Sequence, residues 1–408
     1  MSNPKMAAHL GAKLAEMDAR GARKGREKVI TGVLPAEGDR GPRFLIEGHG
    51  DRPFLRMNAN AYLGLSLREE LIRAEEAAAR AFGTGPGAVR FISGTYQPHV
   101  ALEERLARFH RRESALIFSS AYAAVMGVVT PLIEPDTVVL SDELNHNCII
   151  NAVRLSRPRD KAVYRHLDMA DLEARMKAAA GLAGHLLILT DGVFSMRGDH
   201  APLDVIGDLA RRYDAAFERG VTVVVDDSHG VGAFGPTGRG TEEYTGAGGI
   251  DMIVATLGKA LGVNGGYAVA DATVIDYLRE TAPFYVYSNP ITPGEAAAAL
   301  AALEILDSAR GRELLARLRR LTRRFEEGLT ALGLETLPGE HPVVPLLIRD
   351  TEKTARLSAH LVENGILATG LGFPVVPRGS EEIRFQVCAD HAERDRKSTR
   401  LNSSHRIR

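Results

Sequence analysis

Short apolar runs alternate with helical patterns through the middle of the chain. The runs, which are rich in β-branched residues, are ALIFSS, TVVLSDE, HLLILTDG, TVVVDD and DMIVATLG. Segments such as DMADLEARMKAAAG and LDVIGDLARRYDAAFERG repeat apolar residues at helical spacing between them. Strands alternating with helices predict an α/β fold with a mostly parallel sheet and helices on both faces. GGYAVAD follows the last run so closely that we expect an antiparallel strand there.

The segments on either side of this alternation predict the domain organisation. Residues 1–50 combine an exposed helical pattern with an arm, and a hairpin of RFLIEG and PFLRMN is expected to lead into a large domain, residues 51–292. After Pro293 long helical patterns and a few strands predict a small α+β domain, residues 293–395. The basic, serine-rich end, residues 396–408, lacks apolar periodicity, so we expect a non-native tail.

Composition and charge exclude several kinds of partner. The 408 residues carry a net charge of −1 with both signs interspersed, so neither nucleic acid nor a membrane surface is expected to bind. The N-terminal segment has no continuous apolar core of the kind found in signal peptides and membrane spans. Cys148 and Cys388 are far apart and lack the spacing of metal ligands. A cytoplasmic protein without a metal is therefore expected.

Three residues whose side chains could take part in catalysis follow two neighbouring apolar runs. Asp226 and His229 lie at the end of TVVVDDSHG, and Lys259 follows DMIVATLG. In an open parallel sheet ligands bind beyond the carboxyl ends of the strands, so these side chains can converge on one pocket. A lysine that forms a Schiff base and an acid that pairs with a ring nitrogen suit pyridoxal phosphate. The same three residues could also be a solvated lysine, an acid that caps a helix and a structural histidine. The motif alone therefore leaves open whether they form a cofactor site or have only structural roles.

Other motifs indicate how such a cofactor could be held. In SSAYAAVMG a strand ends in small residues and a helix begins, and the amides of that helix suit a phosphate group. His146 in DELNHNCII either packs in the core or covers a planar cofactor with its aromatic face. The glycine-rich TGPGAVRFISGT indicates tight turns or close backbone approach. A P-loop is excluded, because Ile253 and Ala260 stand where its motif needs a glycine and a hydroxyl residue.

Six stretches carry a resemblance to a known family: NANAYLGL, VRFISGT, SDELNHNCII, TDGVFSMRGD, VDDSHGVGAFGPTGRG and TLGKALG. Together they resemble the α-oxoamine synthases, fold-type I pyridoxal phosphate enzymes that join an amino acid to an acyl-CoA. The resemblance runs from the N-terminal arm to about Asp390. It implies a seven-stranded, mostly parallel sheet, pyridoxal 5'-phosphate as the cofactor, and a homodimer with shared active sites.

Carried over residue by residue, the resemblance implies a role for each matching position. Lys259 binds the cofactor covalently and moves a proton, Asp226 pairs with the ring nitrogen, and His146 stacks on the ring. The other implied contacts are His229 and Ser195 at the ring hydroxyl, the Ala121 and Tyr122 amides and the Thr256 hydroxyl at the phosphate, Ser288 and Asn289 at the phosphate of a neighbouring subunit, and Asn60 and Arg384 at the substrate carboxylate.

The implied activity is the condensation of an amino acid, glycine, with an acyl-CoA, acetyl-CoA, to give an α-amino ketone and CoA. Small residues in NANAYLGL and TGPGAVRFISGT favour glycine through crowding around its Cα. Arg197, Ala61 and the GTGPGA loop depart from the family pattern near substrate-selecting segments, which leaves the substrates open. A decarboxylating α-oxoamine synthase is the main alternative. An aminotransferase would share the lysine and the aspartate, and a non-enzymatic cofactor-binding regulator would not need Arg384.

Overall fold

The computed structural model describes residues 3–20, 23, 25–373 and 376–392. The chain forms two compact units, one made of Met1–Ala59 with Arg320–Arg408 and the other of Asn60–Arg319. The predicted ranges 1–50, 51–292 and 293–395 stay predictions, and the predicted tail, 396–408, lies outside the described residues. No helix in the described ranges has both the length and the apolar character that crossing a membrane requires.

The secondary structure of the described ranges follows the predicted alternation. The strands are β1 (Ile30–Leu34), β2 (Arg43–Ile46), β3 (Leu55–Arg56), β4 (Ser114–Phe118), β5 (Thr137–Asp142), β6 (Asp160–Tyr164), β7 (His185–Asp191), β8 (Val221–Asp226), β9 (Met252–Thr256), β10 (Gly266–Ala270), β11 (Val343–Leu347), β12 (Ile366–Leu367), β13 (Thr369–Leu371) and β14 (Glu382–Gln386). The α-helices are α1 (Pro4–Ala19), α2 (Glu69–Phe82), α3 (Gln97–His110), α4 (Ala121–Leu132), α5 (Asn147–Leu155), α6 (Met169–Ala179), α7 (Leu203–Tyr213), α8 (Thr241–Thr245), α9 (Ala272–Thr281), α10 (Pro283–Val286), α11 (Pro293–Leu306), α12 (Ala309–Thr330) and α13 (Thr351–Glu363).

A seven-stranded sheet forms the centre of the unit Asn60–Arg319. Its strand order is β4-β10-β9-β8-β7-β5-β6, and β9, β8, β7, β5 and β6 are parallel to one another. β10 runs antiparallel to β4 and β9, as its short connection predicted. β5 and β7 are buried along their whole length, as strands covered on both faces should be. The predicted α/β class with a mostly parallel sheet is confirmed.

The edge strand β6 was not among the predicted strands. Its sequence, DKAVY, pairs in parallel with β5, and only Tyr164 is buried. Asp160 and Lys161 are exposed, because an edge strand has one side without a neighbouring strand and tolerates charge there. The strand therefore lacks the continuous apolar run that marks the central strands of the sheet.

Helices packed on the sheet hold the strand ends in place. Val125 and Val128 of α4 belong to one buried apolar cluster with Leu187 of β7, Val224 of β8 and Val254 of β9. Full burial of one such side chain stabilises the fold by about 1.5–3 kcal/mol. The polar residues that follow these strands therefore stand on a rigid base.

The glycine-rich stretch contains a π-helical turn, Arg90–Gly94. The buried Arg90 guanidinium pairs with the Glu103 carboxylate at 3.0 and 3.1 Å. A Cβ at Gly94 would overlap the carbonyl oxygen of Ala88, so only glycine fits there. The sequence predicted either tight turns or close backbone approach for these glycines, and Gly94 shows close backbone approach.

The unit that includes residues 320–408 contains three small sheets. β1 pairs antiparallel with β2, β12 pairs parallel with β3, and β11, β14 and β13 form an antiparallel sheet. The predicted hairpin of RFLIEG and PFLRMN is found only as one antiparallel bridge, between Phe44 and Phe54, and the strand partner of β2 is β1. Leu55 and Arg56 pair with Ile366 and Leu367 instead. With α13, the antiparallel sheet of β11, β14 and β13 gives the small C-terminal α+β part that was expected, whereas β1, β2 and β3 lie outside the predicted range 293–395.

Candidate active site

Three neighbouring strands of the large sheet end in a buried aspartate. Asp142 ends β5, Asp191 ends β7 and Asp226 ends β8. Asp191 lies directly opposite Asp226 in the register of the two strands. We call these three residues the carboxylate cluster. Because burying a carboxylate is costly without a partner, positive groups are expected at this edge of the sheet.

Asp142 has its positive partner within the protein. Nδ1 of His166 lies 2.8 Å from Oδ1 of Asp142, and Nε2 lies 3.3 Å from Oδ2 of Asp199. Burial opposes the charged imidazole, but hydrogen bonds to the two carboxylates overcome this and raise the pKa of His166 to about 9. The His166 cation therefore compensates Asp142, and Asp191 and Asp226 remain as the pair that needs another partner.

The Asp226 carboxylate is oriented by one backbone donor and one side-chain donor. The Ser228 N–H donates to Oδ1 at 3.1 Å, and the Cys148 S–H donates to Oδ2 across 3.6 Å. Hydrogen bonds of this kind stabilise the charged form of a carboxylate. The acid predicted from the end of TVVVDD is thus buried, fixed and placed at the expected strand end.

His146 stands beside Asp226 at the N-terminus of α5. Its Nδ1 accepts the Cys148 N–H at 3.3 Å and lies 2.9 Å from the Cys148 sulfur. One ring nitrogen of His146, that sulfur and a carboxylate oxygen of Asp226 all lie within 4.8 Å of one another. Burial lowers the pKa of His146, the Asp226 charge opposes this effect, and Lys259 reinforces it. A neutral imidazole beside the acid is compatible with the predicted stacking on a planar ring.

Asp191 is a site residue that the motifs did not single out. Its Oδ2 accepts the backbone N–H of His146 at 3.1 Å, whereas its buried Oδ1 has no hydrogen-bond partner among the described residues. Burial raises the pKa of Asp191, the Asp226 charge raises it further, and Lys259 opposes both. Asp191 ends an apolar run in the same way as Asp226, so the strand-end rule could have found it.

Lys259 reaches the carboxylate cluster from the next strand. It follows β9 on a turn in which the Gly262 N–H donates to the Lys259 carbonyl at 3.1 Å. The residue is half-buried, and its positive charge opposes protonation of both His146 and Asp191. The Lys259 charge therefore acts on the same two groups that the Asp226 charge affects. The structure therefore brings the predicted lysine and the predicted acid to one site.

A hydrogen-bonded chain orients His229. The hydroxyl of Tyr62 lies 2.7 Å from Nδ1 of His229 and 3.3 Å from Oδ1 of Asn60. Tyr62 is fully buried, which fixes the hydroxyl and through it the imidazole plane. His229 and Asn60 were predicted site residues, whereas the tyrosine of NANAYLGL has the pattern of an ordinary core residue. Tyr62 now links the two.

Asp227 has a structural role that separates it from its neighbour Asp226. Its carboxylate accepts the Thr241 N–H at 2.7 Å and the Thr241 hydroxyl at 2.6 Å. Burial raises its pKa to about 7, although both hydrogen bonds from Thr241 oppose this. Asp227 thus ties the loop that contains His229 to α8.

The N-terminus of α4 presents backbone amides at the same edge of the sheet. The Ser120 side chain accepts the Ala123 N–H at 3.1 Å, whereas in the described part of the chain the Ala121 and Tyr122 amides have no acceptor. A Cβ at Gly266 would overlap the Ala121 nitrogen, so β10 passes directly against this helix end. Amides and the helix dipole together favour an anion here.

Thr256 lies beside this helix end. It pairs with Gly266 in the sheet, and its hydroxyl accepts the Gly258 N–H at 3.0 Å and donates to the Gly265 carbonyl at 3.1 Å. We call Ser120, Ala121, Tyr122, Thr256 and Gly266 the amide seat. The structure brings the three residues predicted to hold a phosphate, Ala121, Tyr122 and Thr256, to this one place.

Ser195 lies on a turn after β7 that is closed by a hydrogen bond from the Gly198 N–H to the Phe194 carbonyl at 2.9 Å. Arg197, which departs from the family pattern, places its Nε 2.7 Å from Oδ2 of Asp199. The same oxygen contacts the imidazole that pairs with Asp142. The departure at Arg197 therefore adds a support to the turn that contains Ser195.

Three predicted residues lie elsewhere in the chain. Ser288 and Asn289 follow α10, and the Ser288 hydroxyl donates to the Asn289 carbonyl at 3.4 Å. Their predicted contact belongs to a second copy of the chain and stays a prediction. Arg384 lies on β14 in the other unit, where Nε and one Nη are 2.9 and 3.1 Å from the Gln386 side-chain oxygen once that amide is turned to face it. Its predicted role also stays a prediction.

The chain is similar to known proteins along most of its length. The family model described as Aminotransferase class I and II matches residues 52–399. The chain is 39% identical over 368 residues to 8-amino-7-oxononanoate synthase of Thermosipho melanesiensis, covering 90% of this chain and 91% of that one. It is 40% identical over 371 residues to mitochondrial 2-amino-3-ketobutyrate coenzyme A ligase of Homo sapiens, covering 90% and 84%.

A solved structure agrees with these relatives. The fold matches Sphingomonas wittichii serine palmitoyltransferase with a TM-score of 0.87 at 26% identity, covering 98% of this chain and 96% of that one. All three named proteins are α-oxoamine synthases. Because the two curated relatives match at nearly equal identity, the comparisons do not separate one amino acid or acyl donor from another.

Proposed function

Because the chain belongs to the class I and II aminotransferase family and, within it, to the α-oxoamine synthases, we propose that it condenses glycine with acetyl-CoA and releases CoA. It is an enzyme that uses pyridoxal 5'-phosphate. The proposed activity is that of a glycine C-acetyltransferase, also called 2-amino-3-ketobutyrate CoA ligase. The observation that carries the chemistry is the meeting of Lys259 with the Asp191–Asp226 pair.

Two features of the structure fit the cofactor. The buried Asp191–Asp226 pair, with an unpartnered Oδ1 on Asp191, suits a cationic ring, and the amides of Ala121 and Tyr122 suit a phosphate. When bound, pyridoxal 5'-phosphate supplies a carbonyl for an amine and an electron-poor ring that takes up the electron pair left on the substrate Cα. Residues of the carboxylate cluster and the amide seat would therefore hold its two ends.

We assign the contacts of the ring to the residues around Asp226. The Asp226 carboxylate would keep a proton on the ring nitrogen, and the His146 imidazole would stack on the ring. Ser195 and His229 would hydrogen-bond the ring hydroxyl, with His229 held in place by Tyr62. Ala121, Tyr122 and Thr256 would bind the phosphate.

Lys259 is the residue that we propose accepts the Cα proton, which requires a neutral amine. Asp226 would be engaged with the ring nitrogen, and burial and the Asp226 charge raise the pKa of Asp191, which disfavours the charged form of Asp191. The raised pKa of Asp191 therefore weakens one of the charges that would favour the ammonium form of Lys259. The positive ring nearby also favours the neutral amine.

Asn60 and Arg384 are the residues that we propose hold the substrate carboxylate. A guanidinium can bind a carboxylate with two parallel hydrogen bonds. Such a grip sets the angle at which the Cα–H bond stands to the cofactor ring, and correct alignment is a large part of rate acceleration. The Asn60 amide is already oriented through Tyr62 toward the side of the site that contains His229.

Glycine and a short acyl chain form the finer part of the proposal. The crowding expected in TGPGAVRFISGT is found at Gly94 but not at Gly83, Gly85 or Gly87, where a Cβ would meet nothing within 4 Å, so the GTGPGA loop itself does not favour glycine. Support for glycine therefore comes from the likeness in VRFISGT, SDELNH, TDGVFSM and GFPVVPRGSEEIR, and from the relative named 2-amino-3-ketobutyrate coenzyme A ligase.

A decarboxylating synthase is the second candidate, favoured by the 39% identity to an 8-amino-7-oxononanoate synthase. The name of that product places a methyl group next to the carbon that bears the amine, which indicates alanine as the amino acid. Such an enzyme would use the same lysine and aspartate and would also release carbon dioxide. The two candidates differ in amino acid and acyl donor, whereas the proton chemistry is shared.

We also propose a homodimer in the cytoplasm. The resemblance of YSNPITP to a segment that reaches the phosphate of a neighbouring subunit supports shared sites through Ser288 and Asn289. Neither Cys148 nor Cys388 forms a disulfide in the described part of the chain, which supports a reducing compartment.

The decisive experiment measures free CoA and carbon dioxide for glycine, alanine and serine, each with acetyl-, octanoyl- and palmitoyl-CoA. The proposal expects the highest kcat/KM with glycine and acetyl-CoA and no CoA release by a Lys259→Ala variant. With glycine labelled at its carboxyl carbon, the label should stay in a product that is trapped by borohydride as it forms, because the free β-keto acid loses carbon dioxide without an enzyme. A preference for alanine with carbon dioxide release would favour the second candidate. Amino-group transfer to a keto acid without CoA release would reject both.

A further inference from the structure

Cys148 contacts both Asp226 and His146 in the described site. Its sulfur lies 3.6 Å from Oδ2 of Asp226 and 2.9 Å from Nδ1 of His146, and its backbone N–H donates to the same Nδ1 at 3.3 Å. It lies in the first turn of α5 and is almost completely buried. None of the roles assigned above uses this thiol.

The environment of Cys148 keeps its proton on sulfur. Burial raises the pKa of the thiol, and the charges of Asp226 and Asp191 raise it further. The group is therefore a permanent, weak hydrogen-bond donor and not a nucleophile. Its single proton faces two acceptors, of which the charged carboxylate is the stronger.

We propose that Cys148 is a positioning residue for the condensation: its S–H group donates to Asp226 and holds this carboxylate in the orientation that pairing with the cofactor's ring nitrogen requires. The inference rests on the proposed pairing of Asp226 with that nitrogen. A carboxylate with one donor fewer could turn away from the ring nitrogen, and the pairing that keeps this nitrogen protonated would be weaker. The ring would then be less electron-poor and would stabilise the electron pair on Cα less well. The contact with Nδ1 would hold the His146 ring in the orientation that stacking requires.

The test uses full-length enzyme loaded with pyridoxal 5'-phosphate that carries ¹⁵N at the ring nitrogen, without substrate. Cys148→Ala and Cys148→Val both remove the donor but differ in volume, so a shared effect reports the lost hydrogen bond and not packing. Both ¹⁵N resonances should move toward that of an unprotonated pyridine, and kcat should fall about three- to tenfold with little change in KM. Cys148→Ser keeps a donor, so its resonance and kcat should stay close to those of the unmodified protein. Cys388→Ser, at the other cysteine, is the matched control and should change neither.

Three results would overturn the proposal: an unchanged resonance in the alanine and valine variants, different shifts in those two variants, or a serine variant displaced as far as they are. If the alanine variant fails to retain the cofactor, the valine and serine variants still decide between these outcomes. Asp226→Asn separates this proposal from the one on which it rests. If that change leaves the resonance unmoved, Asp226 does not pair with the ring nitrogen, and the proposed function of Asp226 fails first.

Discussion

The carboxylate cluster and the amide seat lie at the same edge of one sheet but offer a ligand opposite kinds of contact. The cluster consists of buried, titratable side chains at the ends of β5, β7 and β8. The amide seat consists of backbone N–H groups, the Thr256 hydroxyl and a glycine without which β10 could not approach α4. The contacts that the cluster offers depend on which side chains are present, whereas the contacts that the amide seat offers depend mainly on the position of the backbone. Substitutions in the cluster should therefore change the chemistry, and substitutions in the seat should change cofactor retention.

Lys259 gives the largest effect that this comparison predicts. Lys259→Ala removes the amine that binds the cofactor and accepts the Cα proton, so kcat should fall by at least about 10³-fold. The amide seat is unchanged, so the variant should still bind the cofactor non-covalently. In the unmodified protein, borohydride reduction followed by peptide mass spectrometry should place the cofactor on Lys259. Lys177→Ala, an exposed lysine on α6, is the control. Label on a lysine other than Lys259 would contradict the assignment.

Substitution of Asp226 should give the second-largest effect. Asp226→Asn keeps the shape of the side chain but removes the charge that holds a proton on the ring nitrogen. A mismatch of two pKa units at that nitrogen corresponds to about a 10²-fold loss of kcat, and cofactor content should be preserved by the amide seat. Turnover and the ratio of bound cofactor to protein are the two measurements. Near-normal kcat in the Asn variant would remove the basis for the proposed electron-withdrawing role.

The sequence predicts the two regions unequally. Asp226 and Lys259 follow clear apolar runs, so the strand-end rule points to them, and the seat follows from a strand that ends in small residues before a helix. Tyr62 and Cys148 have the pattern of core residues, and their contacts with His229 and Asp226 join positions far apart in the chain. The sequence around Tyr62 and Cys148 therefore does not predict these contacts. β6 was missed for a related reason, because an edge strand can be charged.

His166 makes the carboxylate cluster sensitive to pH, which the amide seat is not. Its pKa is raised from 6.5 to about 9, because hydrogen bonds to Asp142 and Asp199 outweigh burial. A raised pKa means that the folded protein binds the proton more tightly, so this stabilisation is complete below pH 6.5 and is lost as the pH rises to about 9. The shift corresponds to roughly 3 kcal/mol. The free energy of unfolding, measured in urea at pH 6 and pH 9, should therefore fall more in the unmodified protein than in His166→Gln. His9→Gln on the exposed helix α1 is the control, and an equal fall in the unmodified protein and His166→Gln would contradict the prediction.

A second copy of the chain should complete the amide seat. If Ser288 and Asn289 contact the phosphate of a neighbour, a Ser288→Ala/Asn289→Ala variant should retain the cofactor about tenfold less well, since two hydrogen bonds to a charged group are lost. Mixing this variant with Lys259→Ala should then restore about a quarter of the sites, because half of the random dimers contain one intact site each. Activity after unfolding and refolding the mixture is the measurement, with each variant refolded alone as its control. No recovery, combined with a monomeric mass in solution, would rule out shared sites.

Asp191 should give the smallest effect, although it lies directly opposite Asp226. Burial and the Asp226 charge raise the pKa of Asp191, which disfavours a second full negative charge beside Asp226. An asparagine is then a close mimic of Asp191, because its side-chain oxygen can still accept the His146 N–H that Oδ2 accepts at 3.1 Å. We expect kcat of Asp191→Asn to stay within about threefold of the unmodified value, whereas Asp191→Ala, which removes that acceptor, should lose about tenfold. A loss in Asp191→Asn as large as in Asp226→Asn would show that both carboxylates are charged, and the two would then have to share the ring nitrogen and the Lys259 amine between them.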